Sequence, residues 1–301
     1  MTSTSRSVAM SLFGAVLFGT AGTAAALGPD GADPSVLGFM RLFLGAIALL
    51  VAVPFFGGSL RRLVILIRRP GVWVMAVCAG AYQPLFFGAT ARTGVALSTL
   101  VAVSFTPVVA GFVGWAVFRE RPARAWFLAT TVAVAGLALR SAGDLDVGNL
   151  SGLLMAAAAG STTGCYLNAA KVELRRGGHP VELPALAYLI GSALLIPVVG
   201  NGFKTVAFSW SLLVLALYLG VVTMALANAL NIEGLRGLPP GPAATLMLAD
   251  PLTATALGVV VLGESLQVVA VVGMVLVMVG LVWQSRAQSE APISAAGSTL
   301  G

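Results

Sequence analysis

The sequence has few charged residues, and this scarcity limits the class of protein that it can form. Asp, Glu, Lys and Arg make up only 9% of its 301 residues, whereas soluble proteins carry roughly 25%. Hydrophobic residues make up 58%, and the mean hydropathy is +0.97. A soluble domain cannot bury so much apolar surface, and no polar stretch is long enough to form one. The composition therefore predicts an integral membrane protein whose function is built between helices.

The residues that carry most enzyme chemistry are also scarce. The only histidine is His179, and the two cysteines, Cys78 and Cys165, lie inside apolar runs, where they are typical of small core residues. No pair of aspartates within the apolar runs, no His/Cys/Glu cluster with metal-ligand spacing and no nucleotide-binding glycine motif occurs. We therefore expect no enzyme activity, no metal and no cofactor.

The chain contains ten apolar runs, each near the length of about 20 residues that spans a bilayer. The first run resembles a signal peptide, but the internal repeat described below requires it as a membrane helix. The pattern predicts an all-α membrane protein with ten transmembrane spans, at residues 8–27, 34–56, 71–90, 94–118, 123–140, 148–170, 181–200, 208–231, 239–262 and 267–284.

The distribution of basic residues predicts the orientation. With the amino terminus in the cytoplasm, thirteen basic residues fall in inside connections and three, Arg92, Arg140 and Lys204, in outside ones. This positive-inside bias favours cytoplasmic termini. The basic residues behind the net charge of +6 then serve to orient the helices in the lipid bilayer. Nucleic acid is not an expected partner.

The second half of the sequence repeats the first at an offset of 144 residues. Residues 92–120 align without a gap with 236–264, and Arg92, Pro107 and Glu120 fall on Arg236, Pro251 and Glu264. Five spans in each half is an odd number, so the second copy enters the membrane from the opposite face. The pattern predicts two inverted repeats, a design found in many secondary transporters.

These residues resemble the drug/metabolite transporter superfamily, in its EamA-like branch with ten helices. The last signature runs from Arg236 through the pair Asp250-Pro251 to Glu264, and the first half carries Phe18-Gly19, Pro34 and Arg41 at the matching places. Two features depart from the family pattern: Phe18 stands where members often carry Trp, and residues 238–242 are unusually rich in proline.

The resemblance implies two EamA-like five-helix repeats at 1–145 and 146–285, followed by a disordered polar tail at 286–301. It implies a secondary transporter that moves a small metabolite, such as an amino acid or a drug-like compound, by alternating access. Export and proton coupling are expectations of the same kind. The alternative is a multi-helix membrane protein that transports nothing, such as a receptor-like bundle, a scaffold or a membrane-embedded enzyme.

Arg41 and Asp250 are the charged residues deepest within apolar runs. Each costs about 2.5 to 3.5 kcal/mol at a helix centre, so both are expected to face the bundle interior. In the functional interpretation they line the transport cavity, where Arg41 holds a substrate carboxylate and Asp250 an amine or a coupling proton. In the structural interpretation they form a buried ion pair that fixes helix packing.

Neutral residues complete the predicted site. Tyr82, Gln83 and Tyr166 are candidate cavity residues, although most polar side chains of this type only bond neighbouring helices. Pro107 and Pro251 are predicted hinges, because a proline within a helix frees a backbone carbonyl in each repeat.

Overall fold

The computed structural model describes residues 3–28, 34–119, 124–140, 149–200, 209–263 and 268–290. These residues form helices and turns and contain no strand, which confirms the all-α membrane fold. The helices are α1 (Ser3–Ala26), α2 (Pro34–Ala52), α3 (Leu60–Leu66), α4 (Pro70–Phe118), α5 (Arg124–Arg140), α6 (Leu150–Arg175), α7 (Glu182–Val199), α8 (Trp210–Tyr218), α9 (Ala227–Gly234), α10 (Pro240–Leu246), α11 (Ala249–Leu262) and α12 (Val268–Glu290).

Every predicted span contains helix in this structure. Seven stretches are long and apolar enough to cross a membrane by length and composition: Thr4–Ala26, Ser35–Phe56, Pro70–Gly94, Leu97–Phe118, Glu182–Val199, Trp210–Gly234 and Pro240–Leu262. The other three predicted spans are α5, α6 and α12. Of these, α5 has 17 residues, α6 has 26, and α12 contains the apolar stretch Val271–Trp283. Ten crossings stay a prediction.

Three spans deviate from simple helices. The third and fourth run together as α4, with a bend at Gly94, whose φ of 76° and ψ of 165° suit glycine. The eighth consists of α8, a π-helical segment Leu219–Leu226, and α9. The ninth is broken between α10 and α11. Such irregularities occur in transporters where helices line a cavity.

Two connections differ from the sequence prediction. The basic stretch after α2 contains the short helix α3, which buries Leu66 and exposes its arginines. At the carboxyl end α12 continues to Glu290, so the first five residues of the predicted tail are helical. Gln, Ser, Arg and Ala, which follow the apolar part of α12, all tolerate helix. The remainder of the tail, 291–301, lies outside the described residues, as do Glu120 and Glu264.

Helix packing follows the predicted repeat. The sixth span, α6, lies along the third and fourth, which form α4. Correspondingly, the first span, α1, lies along the π-helical segment and α9 of the eighth span and α11 of the ninth. The second and seventh spans pack on each other, as do the fifth and tenth. An exchange of the two halves leaves this pattern unchanged, as an internal two-fold repeat requires.

Small residues set how closely α6 approaches α4. A Cβ atom on Gly160 would overlap the backbone carbonyl oxygen of Ala102, and one on Gly164 would lie 2.8 Å from the backbone nitrogen of Ala110. The two glycines therefore let the backbones of α4 and α6 touch, which is how membrane helices gain packing energy without a hydrophobic driving force.

Several connections meet at one end of the bundle, which we call the basic end: residues 57–69, 171–182 and 234–239. Glu173, whose side chain is fully buried, pairs with Arg69 at 3.1 Å and with Arg176 at 3.2 Å. Glu182 is also buried and accepts a hydrogen bond of 2.6 Å from the backbone N–H of Ser59. This end is predicted to be cytoplasmic.

Candidate functional site

Arg41 lies near the middle of α2 and faces the interior. Its Nη2 donates to the sulfur of Met224 at 3.2 Å, a weak acceptor, and its Nε is buried without a partner. A guanidinium with five donors is poorly satisfied by one thioether. Arg41 therefore retains donors in a direction fixed by the helix, as a residue that binds an anionic group requires.

Asp250 lies in the first turn of α11, directly after the break in the ninth span. Its backbone N–H donates to the carbonyl of Met247 at 3.0 Å, so the backbone stays hydrogen-bonded through the turn that separates α10 from α11. Helix α1 packs tightly here, since a Cβ on Gly19 would overlap the Asp250 carbonyl oxygen. The contact explains why a glycine is needed at position 19 and holds Asp250 at the interface of α1 and α11.

Arg41 and Asp250 do not form an ion pair, because no nitrogen–oxygen distance of 4.0 Å or less joins their side chains among the described residues. They nevertheless interact electrostatically, together with Tyr82 and Tyr188. Arg41, Tyr82 and Asp250 lie inside the helix bundle, and each is only partly buried. Partial burial of such polar side chains inside a bundle is expected where they line a cavity.

Tyr82 and Gln83 are neighbours on α4 but differ in environment. Tyr82 is half-buried and stacks on Phe86 with ring centroids 5.4 Å apart. Gln83 is buried against α2, where a Cβ on Gly38 would lie 2.9 Å from its Oε1. Tyr82 thus shares the region of Arg41, whereas Gln83 lies at the contact between α2 and α4.

Tyr166 of α6 is buried, as Gln83 is. Its hydroxyl donates to Oδ1 of Asn228 in α9 at 2.8 Å, and its ring stacks on Tyr188 of α7 at 6.3 Å. The sequence analysis did not include Tyr188 or Met224. A lone tyrosine in the apolar run of α7 is the same signal that identified Tyr82 and Tyr166, so Tyr188 was detectable. Met224 was not, since methionine is common in apolar helices.

The two prolines occupy unlike positions. Pro251 lies in the first turn of α11, just after the helix break, where a missing N–H costs little. Pro107 lies inside α4, and the only non-helical dihedral angles in that helix are at Gly94. The helix break is therefore adjacent to Pro251, whereas the bend in α4 lies thirteen residues before Pro107.

Most other polar side chains of the interior bond to their own helix. Five of them donate to backbone carbonyls three or four residues earlier: Ser161, Thr162, Asn168, Thr223 and Asn231. Asn168 also donates to the Ala110 carbonyl of α4 at 3.0 Å. Within the described part of the chain, no group of three His, Cys, Asp or Glu residues is placed to hold a metal.

The described residues form an all-helical membrane bundle with two similarly packed halves and broken helices. Arg41 and Asp250 lie in its interior without forming an ion pair with each other. These features are typical of secondary transporters. The chain belongs to the EamA-like transporter family, whose family model matches residues 5–142 and again 150–286. It is therefore a multi-pass membrane transporter of the drug/metabolite transporter superfamily. A small-molecule substrate follows from that membership.

Individual relatives agree with the family. The chain is 37% identical over 281 residues to the Bacillus subtilis (strain 168) protein named uncharacterized transporter YwfM, with 92% of each chain covered. It is 30% identical over 177 residues to the threonine/homoserine exporter RhtA of Salmonella typhimurium, with 57% of each chain covered. A solved crystal structure superposes with a TM-score of 0.82 at 20% identity, covering 95% of this chain and 99% of that one, and so shares the fold.

Proposed function

We propose that this transporter exports small zwitterionic amino acids by alternating access. The observation that carries the proposal is the pair Arg41 and Asp250, two opposite charges that share one enclosed region without an ion pair within 4.0 Å. Two charges left apart in low-dielectric surroundings suit a ligand that carries the complementary charges a short distance apart. An α-amino acid has this arrangement, with its carboxylate directed to Arg41 and its ammonium group to Asp250.

Neutral residues near Arg41 and Asp250 would decide which substrate side chain fits in the site. Tyr82 interacts electrostatically with Arg41 and, being only half-buried, could offer its hydroxyl group and ring to a substrate. RhtA, which is similar over part of its length, is named a threonine/homoserine exporter. Hydroxylated amino acids are therefore the first substrates to test.

Counterflow in proteoliposomes tests this proposal directly, because exchange needs no external energy source. We expect vesicles loaded with unlabelled threonine or homoserine to accumulate labelled threonine. Analogues that lack either the amine or the carboxylate should compete poorly. Competition by an uncharged or singly charged analogue as strong as that of the amino acid would contradict the zwitterion site, and absence of counterflow for every amino acid would remove this substrate class.

Asp250 has a second possible role, as carrier of a coupling proton, and the same preparation separates the two roles. If Asp250 binds the substrate ammonium group, the Asp250→Asn variant should lose counterflow. If it carries the proton instead, the variant should retain counterflow but lose uptake driven by an imposed pH gradient. The Glu233→Gln variant is the control, since Glu233 pairs with Arg236 at the basic end, away from α2 and α11.

We further propose that both termini are cytoplasmic, in a bacterial plasma membrane. The excess of basic residues in the predicted inside connections supports this orientation. Single cysteines introduced by Gly31→Cys and Ser289→Cys, in a background without Cys78 and Cys165, should react with an impermeant thiol reagent from outside and inside respectively. Reaction of both from one side would contradict ten spans in this orientation.

A further inference from the structure

The helices divide by packing into two groups at the basic end. Helix α6 lies along α4, whereas α9 and α11 lie along α1; α10 contacts both groups, and α4 more extensively than α1. Opening of a passage at this end requires the end of α6 to separate from α9 and from the segment that joins α9 to α10. The contacts across that boundary are therefore the ones that keep the end closed.

Lys171 makes the most specific of these contacts. It lies in the last turns of α6 and is buried, and its Nζ donates to the backbone carbonyls of Leu235, Arg236 and Leu238. The distances are 3.3 Å to Arg236 and 3.0 Å to Leu238. Leu235 caps α9, and the carbonyls of Arg236 and Leu238 follow the end of that helix. A lysine ammonium supplies partners to all three and is favoured near the negative pole of the helix.

Close backbone packing reinforces the same boundary. A Cβ on Gly241 of α10 would lie 2.9 Å from the Cα of Gly111 in α4, and one on Gly114 would lie 3.7 Å from Cδ of Pro240. The start of α10 therefore rests on the end of α4 without intervening side chains.

The internal repeat supplies a comparison for Lys171 at the opposite end. Gly19 contacts Asp250 and Thr253 as Gly164 contacts Thr106 and Val109, so the repeat places Ala26, beside Leu27, at the position of Lys171 and Gly94 at that of Leu238. Leu27 is 66% exposed, and a Cβ on Gly94 would have no atom within 4 Å. Among the described residues, α1 and α4 have no packing there comparable to that of α6 with α10. Within the described part of the chain, the contact of Lys171 therefore has no charged counterpart at the opposite end.

We propose that Lys171 is the latch of the basic end, and that its ammonium group must leave the three carbonyls before the cavity opens to that side. The inference rests on alternating access in the proposed function. It assigns the closing of one gate to one side chain. Neither the pair Arg41 and Asp250 nor the internal repeat accounts for that closing. Lys171 contacts no substrate in this role; it sets the balance between the two conformations.

Thiol accessibility tests the latch without any substrate, so its failure is distinguishable from failure of the proposed function. The reporter is Leu238→Cys in a background of Cys78→Ala and Cys165→Ala, because the Leu238 side chain is fully buried at the boundary. A second reporter, Ala46→Cys, is equally buried but lies in α2. Labelling rates with an impermeant maleimide are measured on inside-out vesicles of the full chain.

The Lys171→Met variant keeps the length of the side chain and removes its charge. We expect it to raise the labelling rate at Leu238→Cys by roughly tenfold, the scale set by losing a hydrogen bond to a charged group. Lys171→Arg retains a charged donor, so its labelling rate should lie between that of the parent and that of Lys171→Met. Arg176→Met is the matched control: it removes a charge from the end of the same helix, but its partner Glu173 is on α6 itself, so labelling should stay within about twofold.

Two results would overturn the latch. Equal labelling rates at Leu238→Cys with and without the Lys171→Met change would show that the ammonium group does not hold the end closed. A parallel rise at Ala46→Cys would show that Lys171 stabilises the whole fold rather than one gate. A rise confined to Leu238→Cys, graded from Lys171→Arg to Lys171→Met, supports it.

Discussion

The buried charges at the basic end have more partners within the protein than those in the centre of the bundle. At the basic end Glu173 has two arginine partners within 3.2 Å, and Lys171 has three carbonyls. In the centre, Arg41 has one thioether contact and a buried Nε without a partner. Charges that hold the fold are satisfied by the protein, and charges left unsatisfied are available to a substrate.

The largest expected effect comes from stranding the buried charge at the basic end. In the double variant Arg69→Ala/Arg176→Ala, Glu173 keeps its charge and loses both partners, which should cost about 3 to 5 kcal/mol of stability. Thermal unfolding monitored by size-exclusion chromatography measures the loss. Adding Glu173→Gln removes the stranded charge and should restore most of the stability. No rescue by Glu173→Gln would show that the arginines act by packing alone.

The next effect concerns the contact between α4 and α6. Gly160→Ala places a methyl group against the Ala102 carbonyl, so the helices must separate, at a cost of about 1 to 3 kcal/mol. Gly22→Ala in α1 is the control, since a Cβ there meets nothing within 4 Å, and it should be neutral or stabilise by up to about 1 kcal/mol. Equal thermal stabilities of Gly160→Ala and Gly22→Ala would contradict the close approach of α4 and α6.

A smaller effect is expected at Tyr166, which was predicted as a cavity residue. Tyr166→Phe leaves the Asn228 oxygen without its donor and should cost about 1 to 2 kcal/mol of stability. Tyr218→Phe also removes a hydroxyl hydrogen bond, to Thr20 at 2.9 Å, but in an exposed place, and should cost less. Unchanged stability with a changed substrate preference would instead place the Tyr166 hydroxyl in the cavity.

Much of this comparison was predictable from the sequence, and the reasons are physical. Apolar run length determines where helices form in a bilayer, so the spans and the all-α class followed from composition. The depth of Arg41 and Asp250 in apolar runs identified them as interior residues. Whether they pair was not predictable, because that depends on side-chain directions set by contacts between distant segments, such as Arg41 with Met224.

The break in the ninth span and the role of Lys171 also escaped the sequence analysis. The proline-rich stretch 238–242 indicated an irregular start of that span, but the break lies later, between α10 and α11. Lys171 counted only as one of many basic residues in an inside connection. Its burial depends on α9 ending beside α6, a tertiary contact with no local signature.

Arg41 and Asp250 should have the smallest effect on stability of all the residues discussed and the largest on transport. In the proposed alternating access the site opens to water, which solvates the charge that remains after Arg41→Ala or Asp250→Ala, so each variant should stay within about 1 kcal/mol of the parent in thermal stability. The swap Arg41→Asp/Asp250→Arg should be stable yet inactive, because an oriented zwitterion would meet the wrong charge at each end.

The most direct test of the central claim measures thermal stability and threonine counterflow together for Arg41→Ala, Asp250→Ala and the swap. The account predicts three folded proteins of nearly parental stability, none of which exchanges threonine. Single variants that unfold, together with a swap that recovers both folding and exchange, would show that the two residues are a structural ion pair and contradict the claim that they are held apart for a substrate.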